Sequence, residues 1–179
     1  EHKAGTRVIG AETNNYDEKV RAGRTASGHG FPFEKDIMES VYHYSHQTGI
    51  ALWDFPKALS NKYFQPVSWQ FTIYKEQGDH FLEHKDQDVT HHGNAYFKGL
   101  DAPRKFQYRK ISCSIQLSDP ADYEGCQLQI RDKRESRMSP PNTQGSVIVF
   151  PSFADHIVTP LTSGTRYAMV GWFFGPQWR

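Results

Sequence analysis

Two short stretches carry side chains that could hold a metal ion. In HFLEHKDQ, His84 and Asp86 are separated by one residue. On a strand, residues two apart point to the same face, so an imidazole and a carboxylate would stand side by side. In FPSFADHIV, His156 offers a second imidazole from a distant part of the chain. Two histidines and one carboxylate can occupy one face of an octahedral ion such as Fe(II) and leave the opposite positions open to exogenous ligands. Nine histidines and twenty acidic residues make a lone H-x-D triplet easy to meet by chance, so the surroundings carry the weight. His156 follows the apolar run GSVIVFPS, and ten residues later Arg166 opens SGTRYAMVGWFF. A guanidinium on a buried strand needs an anion, and its fork matches a carboxylate.

These residues must be positioned by strands. From Trp69 onward short runs rich in Ile, Val, Phe and Tyr alternate with period two and are separated by Gly, Pro and Asp clusters. The pattern predicts strands at 68–76, 80–86, 108–118, 126–131, 146–150, 155–159 and 165–174. Seven or eight short strands preceded by helix predict a mostly β chain with N-terminal helices, folded as a double-stranded β-helix, the cupin-like jelly roll. On the last strand Arg166, Ala168, Val170 and Trp172 share one face by parity. Upstream, Phe33, Ile37, Val41 and Tyr44 form an amphipathic stripe that predicts a helix ending near Gly49. Residues 1–32 show no sustained period and are expected to be irregular. The segment 87–107 is long for a connection and is expected to be a lid or binding loop.

The 179 residues suit one domain, with a helical or irregular part over 1–67 and the jelly-roll core over 68–176. A net charge of +1 indicates neither a basic surface for nucleic acid nor an acidic tail. No apolar run approaches the roughly 20 residues that cross a bilayer, and EHKAGTRVIG has no signal-peptide core, so no membrane partner and a cytoplasmic location are expected. The chain does not begin with Met, which leaves open a segment ahead of it. Cys113 and Cys126 do not make a disulfide framework and are expected to be free thiols.

The tyrosine ten residues before the first histidine in YKEQGDHFLEHKD, the strand RKISCSIQLSDPADYEGCQLQI and the closing GSVIVFPSFADHIVTPLTSGTRYAMVGWFF together resemble the 2-oxoglutarate- and Fe(II)-dependent oxygenases, and among them the prolyl 4-hydroxylase-like group. The resemblance covers about residues 68–176. It implies a dioxygenase that uses Fe(II), 2-oxoglutarate and molecular oxygen, with ascorbate as a candidate accessory reductant. It also implies His84, Asp86 and His156 as iron ligands, Arg166 as partner of the cosubstrate's far carboxylate, and Tyr74 as a wall of the iron pocket. Trp172, with Tyr96 from the long loop, is implied for the substrate pocket. The substrate implied is a prolyl residue of a peptide or protein, the alternative being a free amino acid or other small molecule.

Two positions depart from the group. Gly125-Cys126 stands where two glycines are usual, and Arg166 stands where many prolyl hydroxylases have Lys. Other polar residues have plainer readings. His91 and His92 would face opposite ways in an extended loop. His80 suits a strand entrance, His43 and His46 suit a solvated helix face, and Arg21 and Arg24 suit a basic surface. Arg109 and Arg131 are the other basic residues that could serve as anchor. A cupin enzyme that needs no cosubstrate would have no reason for a buried arginine on the last strand, and a jelly roll that binds metal without chemistry would have none for an open coordination face.

Overall fold

The structure is a computed structural model that describes residues 21–28, six positions between 39 and 47, 66–87, 108–131 and 136–175. Twelve strands lie among the described residues: β1 (Arg21–Ala22), β2 (Arg24–Gly28), β3 (Pro66–Tyr74), β4 (His80–His84), β5 (Tyr108–Gln116), β6 (Tyr123–Gly125), β7 (Leu128–Arg131), β8 (Arg137–Met138), β9 (Val147–Pro151), β10 (His156–Val158), β11 (Leu161–Gly164) and β12 (Arg166–Gly175). They form two five-stranded sheets, β1-β4-β10-β7-β8 and β2-β3-β12-β5-β9, joined by the pair β11-β6. Every pairing is antiparallel. The fold is a jelly roll, with a cavity between the sheets.

All seven predicted strands are present, with ends shifted by one to a few residues. Strand β4 stops at His84 rather than at 86, and the chain turns into a short 3₁₀ segment at Asp86. Region 1–32 is not wholly irregular as expected, since β1 and β2 lie within it. RAGRTASG has no large apolar alternation to betray a strand, and these edge strands are held by backbone pairing to β4 and β3. Gly23, with φ +142°, lets the chain cross from one sheet to the other. A Cβ there would stand 3.2 Å from the Ile73 carbonyl oxygen and from the Tyr74 ring.

Within the expected helix, residues 39–41, 43, 44 and 47 are helical. Val41 is buried, but Tyr44 is 68% exposed, so the apolar stripe does not extend to it. Three residues along a helix is not a full turn, and an edge tyrosine keeps its hydroxyl in water while its ring meets His43 edge-on. Phe33, Ile37 and Gly49 lie outside the described residues, as do residues 88–107 with His91, His92 and Tyr96.

Local chemistry ties the strands together. Between β3 and β4 the buried Asp79 carboxylate accepts the Lys75 and Glu76 amides at 2.8 and 2.9 Å, and Gly78 supplies φ +90°. Ahead of β6, Asp119 caps the 3₁₀ turn Pro120–Asp122 by accepting the Ala121 amide. Tyr74, Tyr123, Cys126, Val158 and Leu161 pack into a cluster that closes one end of the barrel, with Phe81 and Leu128 against it. Among the described residues no helix is long and apolar enough to cross a membrane, and both cysteines are free and buried.

The approach of β6 to β11 sets a testable limit. Gly164 has φ +80°, and a Cβ there would come within 2.0 Å of the Asp122 carbonyl oxygen. Gly78 has φ +90° but nothing within 4 Å of an added Cβ. Gly164→Ala should cost more than about 3 kcal/mol in urea unfolding, against about 1–2 kcal/mol for Gly78→Ala, where only the backbone conformation is penalised. Equal losses would show that the strands can part without cost.

Candidate metal centre and cosubstrate cavity

Strand register brings the two histidines together. His156 on β10 is the direct cross-strand partner of His84 on β4, and their rings lie 4.1 Å apart. Each ring is oriented by its own segment: His84 Nδ1 meets the Leu82 carbonyl oxygen at 2.8 Å and His156 Nδ1 meets that of Ala154 at 3.0 Å. An Nδ1–H that donates to a carbonyl leaves Nε2 with its lone pair, the tautomer a metal requires. Both Nε2 atoms turn to Asp86, 3.6 Å from Oδ1 for His84 and 3.5 Å from Oδ2 for His156.

Asp86 lies past the end of β4, so strand parity does not hold it. It is anchored from the facing sheet. The Gln87 amide donates to the Ser152 carbonyl oxygen at 2.9 Å, and the Ser112 hydroxyl donates to Asp86 Oδ2 at 2.6 Å. Ser112 Oγ also meets Ser152 Oγ at 2.9 Å, and both serines are buried. Burial alone would raise the Asp86 carboxyl, but a hydrogen bond from His84 and the positive charges of His156 and Arg109 hold it well below the usual carboxylate range when the imidazoles carry protons; beside neutral imidazoles a cation would supply that charge. Burial pushes His156 below its ordinary 6.5, although the Asp86 charge opposes this.

The site therefore fits a cation. A neutral imidazole Nε2 and a carboxylate oxygen are both electron-pair donors, and two of them facing at 3.5 Å leave a place for a positive ion. The three ligand atoms lie within 4.8 Å of one another. Neighbouring ligands of an octahedral ion at about 2.1 Å are separated by roughly 3 Å, so modest side-chain movement would close the set.

Around these residues lies a cavity of about 550 Å³ measured out to its mouth. His84, Asp86 and His156 sit in its wall, with Arg166, Ala168, Val170 and Trp172 of β12 and Tyr74 of β3. Arg166 is 4% exposed and pairs across the sheet with Tyr74, its guanidinium carbon 5.6 Å from the ring centroid. Its Nε donates to Gln116 Oε1 at 3.1 Å. Among the described residues no carboxylate forms an ion pair with it. A buried guanidinium without a carboxylate partner, facing a cavity, suits an anion.

The other candidates fall elsewhere. Arg131 grips Glu83 with two contacts of 2.7 Å at an exposed position. His80 Nδ1 engages the Gly78 carbonyl oxygen, and His43 is exposed. The side chains of Arg21, Arg24 and His46 lie outside the described residues, as does Tyr96. Sequence reasoning missed Ser112 and Ser152, and it named Arg109 only as a spare anchor. Arg109 lies 3.9 Å from Asp86 Oδ1 with its guanidinium 3.9 Å above the Trp172 ring. Parity would group it with Ile111 and Cys113. The register of β5 against β12 slips between Phe173 and Phe174, and this bulge turns Arg109 toward Asp86. The alternation in RKISCSIQ points Ser112 to the cavity, but nothing local marks it as a partner of Asp86.

Two facing antiparallel sheets with a His-Asp-His set and an isolated cationic anchor define the class of jelly-roll, non-haem metal enzymes. The chain belongs to the 2OG-Fe(II) oxygenase superfamily, whose family model matches residues 69–174. That family uses Fe(II), 2-oxoglutarate and dioxygen. A PKHD-type hydroxylase of Prochlorococcus marinus is 42% identical over 81 residues, covering 45% of this chain and 36% of that protein. One of Pseudomonas fluorescens is 32% identical over 126 residues, 68% of this chain and 50% of its own length. The chain thus spans half or less of the length of these curated relatives. Among solved structures, a prolyl-4-hydroxylase of Pseudomonas putida superimposes with TM-score 0.63 at 16% identity, covering 93% of this chain and 79% of that one. A Trichoplax adhaerens prolyl hydroxylase, solved with a peptide fragment of hypoxia inducible factor, gives 0.55 at 15% identity over 96% and 70%. At these identities the likeness is one of fold.

Two measurements probe the centre. Ser112→Ala leaves a buried carboxylate oxygen without its donor and should weaken divalent-metal binding about 10- to 100-fold in a metal titration, with the fold retained. Unchanged affinity would show that the serine does not orient Asp86. Because the folded state holds His156 below 6.5, the unfolded chain takes up a proton first as pH falls. Stability of the metal-free protein from this group is therefore full above about 6.5 and declines below it, by up to about 1.4 kcal/mol per pH unit. Urea unfolding between pH 8 and 5 should show that decline, and His156→Asn should flatten it.

Proposed function

We propose that this chain is an Fe(II)- and 2-oxoglutarate-dependent hydroxylase acting on prolyl residues of a peptide or protein, within one oxygenase domain. The observation that carries the reading is the shared cavity: a cation-ready His84-Asp86-His156 set and an acid-free guanidinium, Arg166, line the same walls. In this reading the triad holds Fe(II), and Arg166 receives the far carboxylate of 2-oxoglutarate. The bound iron and cosubstrate supply the oxidation, in which 2-oxoglutarate and dioxygen become succinate and carbon dioxide while one oxygen atom enters a C–H bond.

The protein's own part is geometric and electrostatic. Backbone carbonyls hold both imidazoles in the metal-binding tautomer, and Ser112 fixes the carboxylate. Phe81, stacked on His84 at 3.7 Å, and Phe150, 4.9 Å from the His156 ring, keep water from the ligands. Trp172 offers an apolar wall for a pyrrolidine ring. The PKHD-type relatives support hydroxylation, and the prolyl hydroxylases of like fold, one solved with a peptide, support a prolyl peptide as substrate. Two buried free thiols fit a reducing compartment, so we place the protein in the cytoplasm.

The test is to supply Fe(II), 2-oxoglutarate and oxygen with proline-rich peptides and with free amino acids in parallel. Succinate should form together with a gain of one oxygen on the peptide. Arg166→Ala should raise the KM for 2-oxoglutarate on the order of 100-fold and leave metal affinity nearly unchanged, because it removes a charge-assisted pair with the cosubstrate alone. Oxygen insertion seen only with a free amino acid would overturn the peptide assignment. An unaltered KM in Arg166→Ala would overturn the anchor.

A further inference from the structure

Arg166 borders two cavities. Besides the metal-lined one it lines a second, of about 530 Å³ measured out to its mouth, and the two share Ser114, Leu128 and Arg166 itself. The guanidinium therefore stands between them. The second cavity is walled by β7 of one sheet, by β5 and β9 of the other, and by the connection from β8 to β9. Its rim is of a different kind. Gln127, Ser139, Pro141 and Asn142 are exposed, whereas the side chains that wall the metal cavity are all buried or half-buried. The connection is fastened at its far end, where the Gln144 amide nitrogen donates to the Leu117 carbonyl oxygen at 2.9 Å. There too the Gly145 amide donates to the Gln116 carbonyl oxygen at 2.8 Å. The rim is thus tied to the end of β5, the strand that also carries Gln116, the partner of Arg166 Nε.

We propose that this second cavity is the path by which a dicarboxylate reaches Arg166 and leaves it, separate from the side on which the metal ligands stand. This rests on the functional reading above. Among the described residues that line the second cavity none is acidic, and Arg166 is the one charged side chain. The wall of the metal cavity contains the Asp86 carboxylate. A dianion that nears Arg166 through the second cavity meets a single charge, of opposite sign, while Ser139, Asn142 and Gln127 at the rim offer hydroxyl and amide donors in place of water. The separation has a use. A peptide whose proline sits against Trp172 occupies the metal side, and a second mouth lets succinate depart and 2-oxoglutarate arrive without displacing it.

The experiment follows 2-oxoglutarate entering and leaving the Fe(II)-loaded protein by anaerobic stopped-flow, read by the visible absorption of the iron chelate. The chain's two cysteines are free and buried, so Asn142→Cys supplies one accessible thiol at the rim, to be capped with a bulky, colourless maleimide. Capping should slow association and dissociation alike, each by about tenfold or more, and leave Kd within about twofold, because an obstacle on a path raises the barrier in both directions. Fe(II) uptake by the triad should keep its rate. Val147→Cys, on exposed β9 surface outside both linings, should change neither rate when capped. Unchanged rates in capped Asn142→Cys would overturn the inference, as would a Kd weakened through faster dissociation alone, which marks a binding contact and not a path. Thermal melting compares capped and uncapped forms, and should capped Asn142→Cys not stay folded, capped Ser139→Cys decides by the same criteria. Failure of the unaltered protein to bind 2-oxoglutarate would instead overturn the functional reading, and this inference with it.

Discussion

A carboxylate placed inside a protein must find compensating charge or hydrogen bonds, and Asp86 is the point about which the described structure is arranged. It is 6% exposed and faces two imidazoles, a serine hydroxyl and a guanidinium. No one of these would hold it. The hydroxyl satisfies one oxygen, the guanidinium stands off at 3.9 Å, and a neutral His156 adds a second lone pair. With the imidazoles neutral, lone pairs and a negative charge face one another, an arrangement that a cation would complete.

The cross-strand pairs distribute this requirement over both sheets. The pair His156 with His84 supplies the imidazoles from one sheet. In the facing sheet Trp172 pairs with Ser112, and Arg166 with Tyr74. Because side chains alternate along a strand, a single register for β5, β12 and β3 aligns Ser112, Trp172 and Arg166 on one face. A slip of one residue would turn all three away. The bulge near Arg109 is a controlled exception, bringing one additional charge round to the same face.

Buried polar side chains punctuate the cavity's mostly apolar wall. Gln70, Thr72 and Ser114 line it, and Gln116 is buried against Arg166. Such groups weaken a core unless paired, and here several are paired in chains, Ser152 to Ser112 to Asp86 and Tyr123 to Gln116 to Arg166. Each chain ends on a group that faces the cavity with charge to spare, one negative and one positive. That opposition suits a metal ion and a dicarboxylate bound in sequence along one cavity.

The amino-acid sequence by itself determined the seven strands whose two-residue alternation is a local property that burial on one face imposes. It also determined the inward face shared by Arg166 and Trp172 on the last strand. Motif resemblance singled out His84, Asp86, His156 and Arg166 as a set. The short edge strands β1 and β2 were illegible, since backbone pairing rather than side-chain pattern creates them. Tyr44 was misread because a helical stripe shows periodicity without showing how wide the buried face is. Only tertiary structure decided that Asp86 stands beyond its strand and is held by Ser112 and Ser152, and that a bulge turns Arg109 onto Trp172. Each of these joins residues 20 or more positions apart, or depends on a break in regular pairing. Such contacts are settled by register and packing, which no local pattern records.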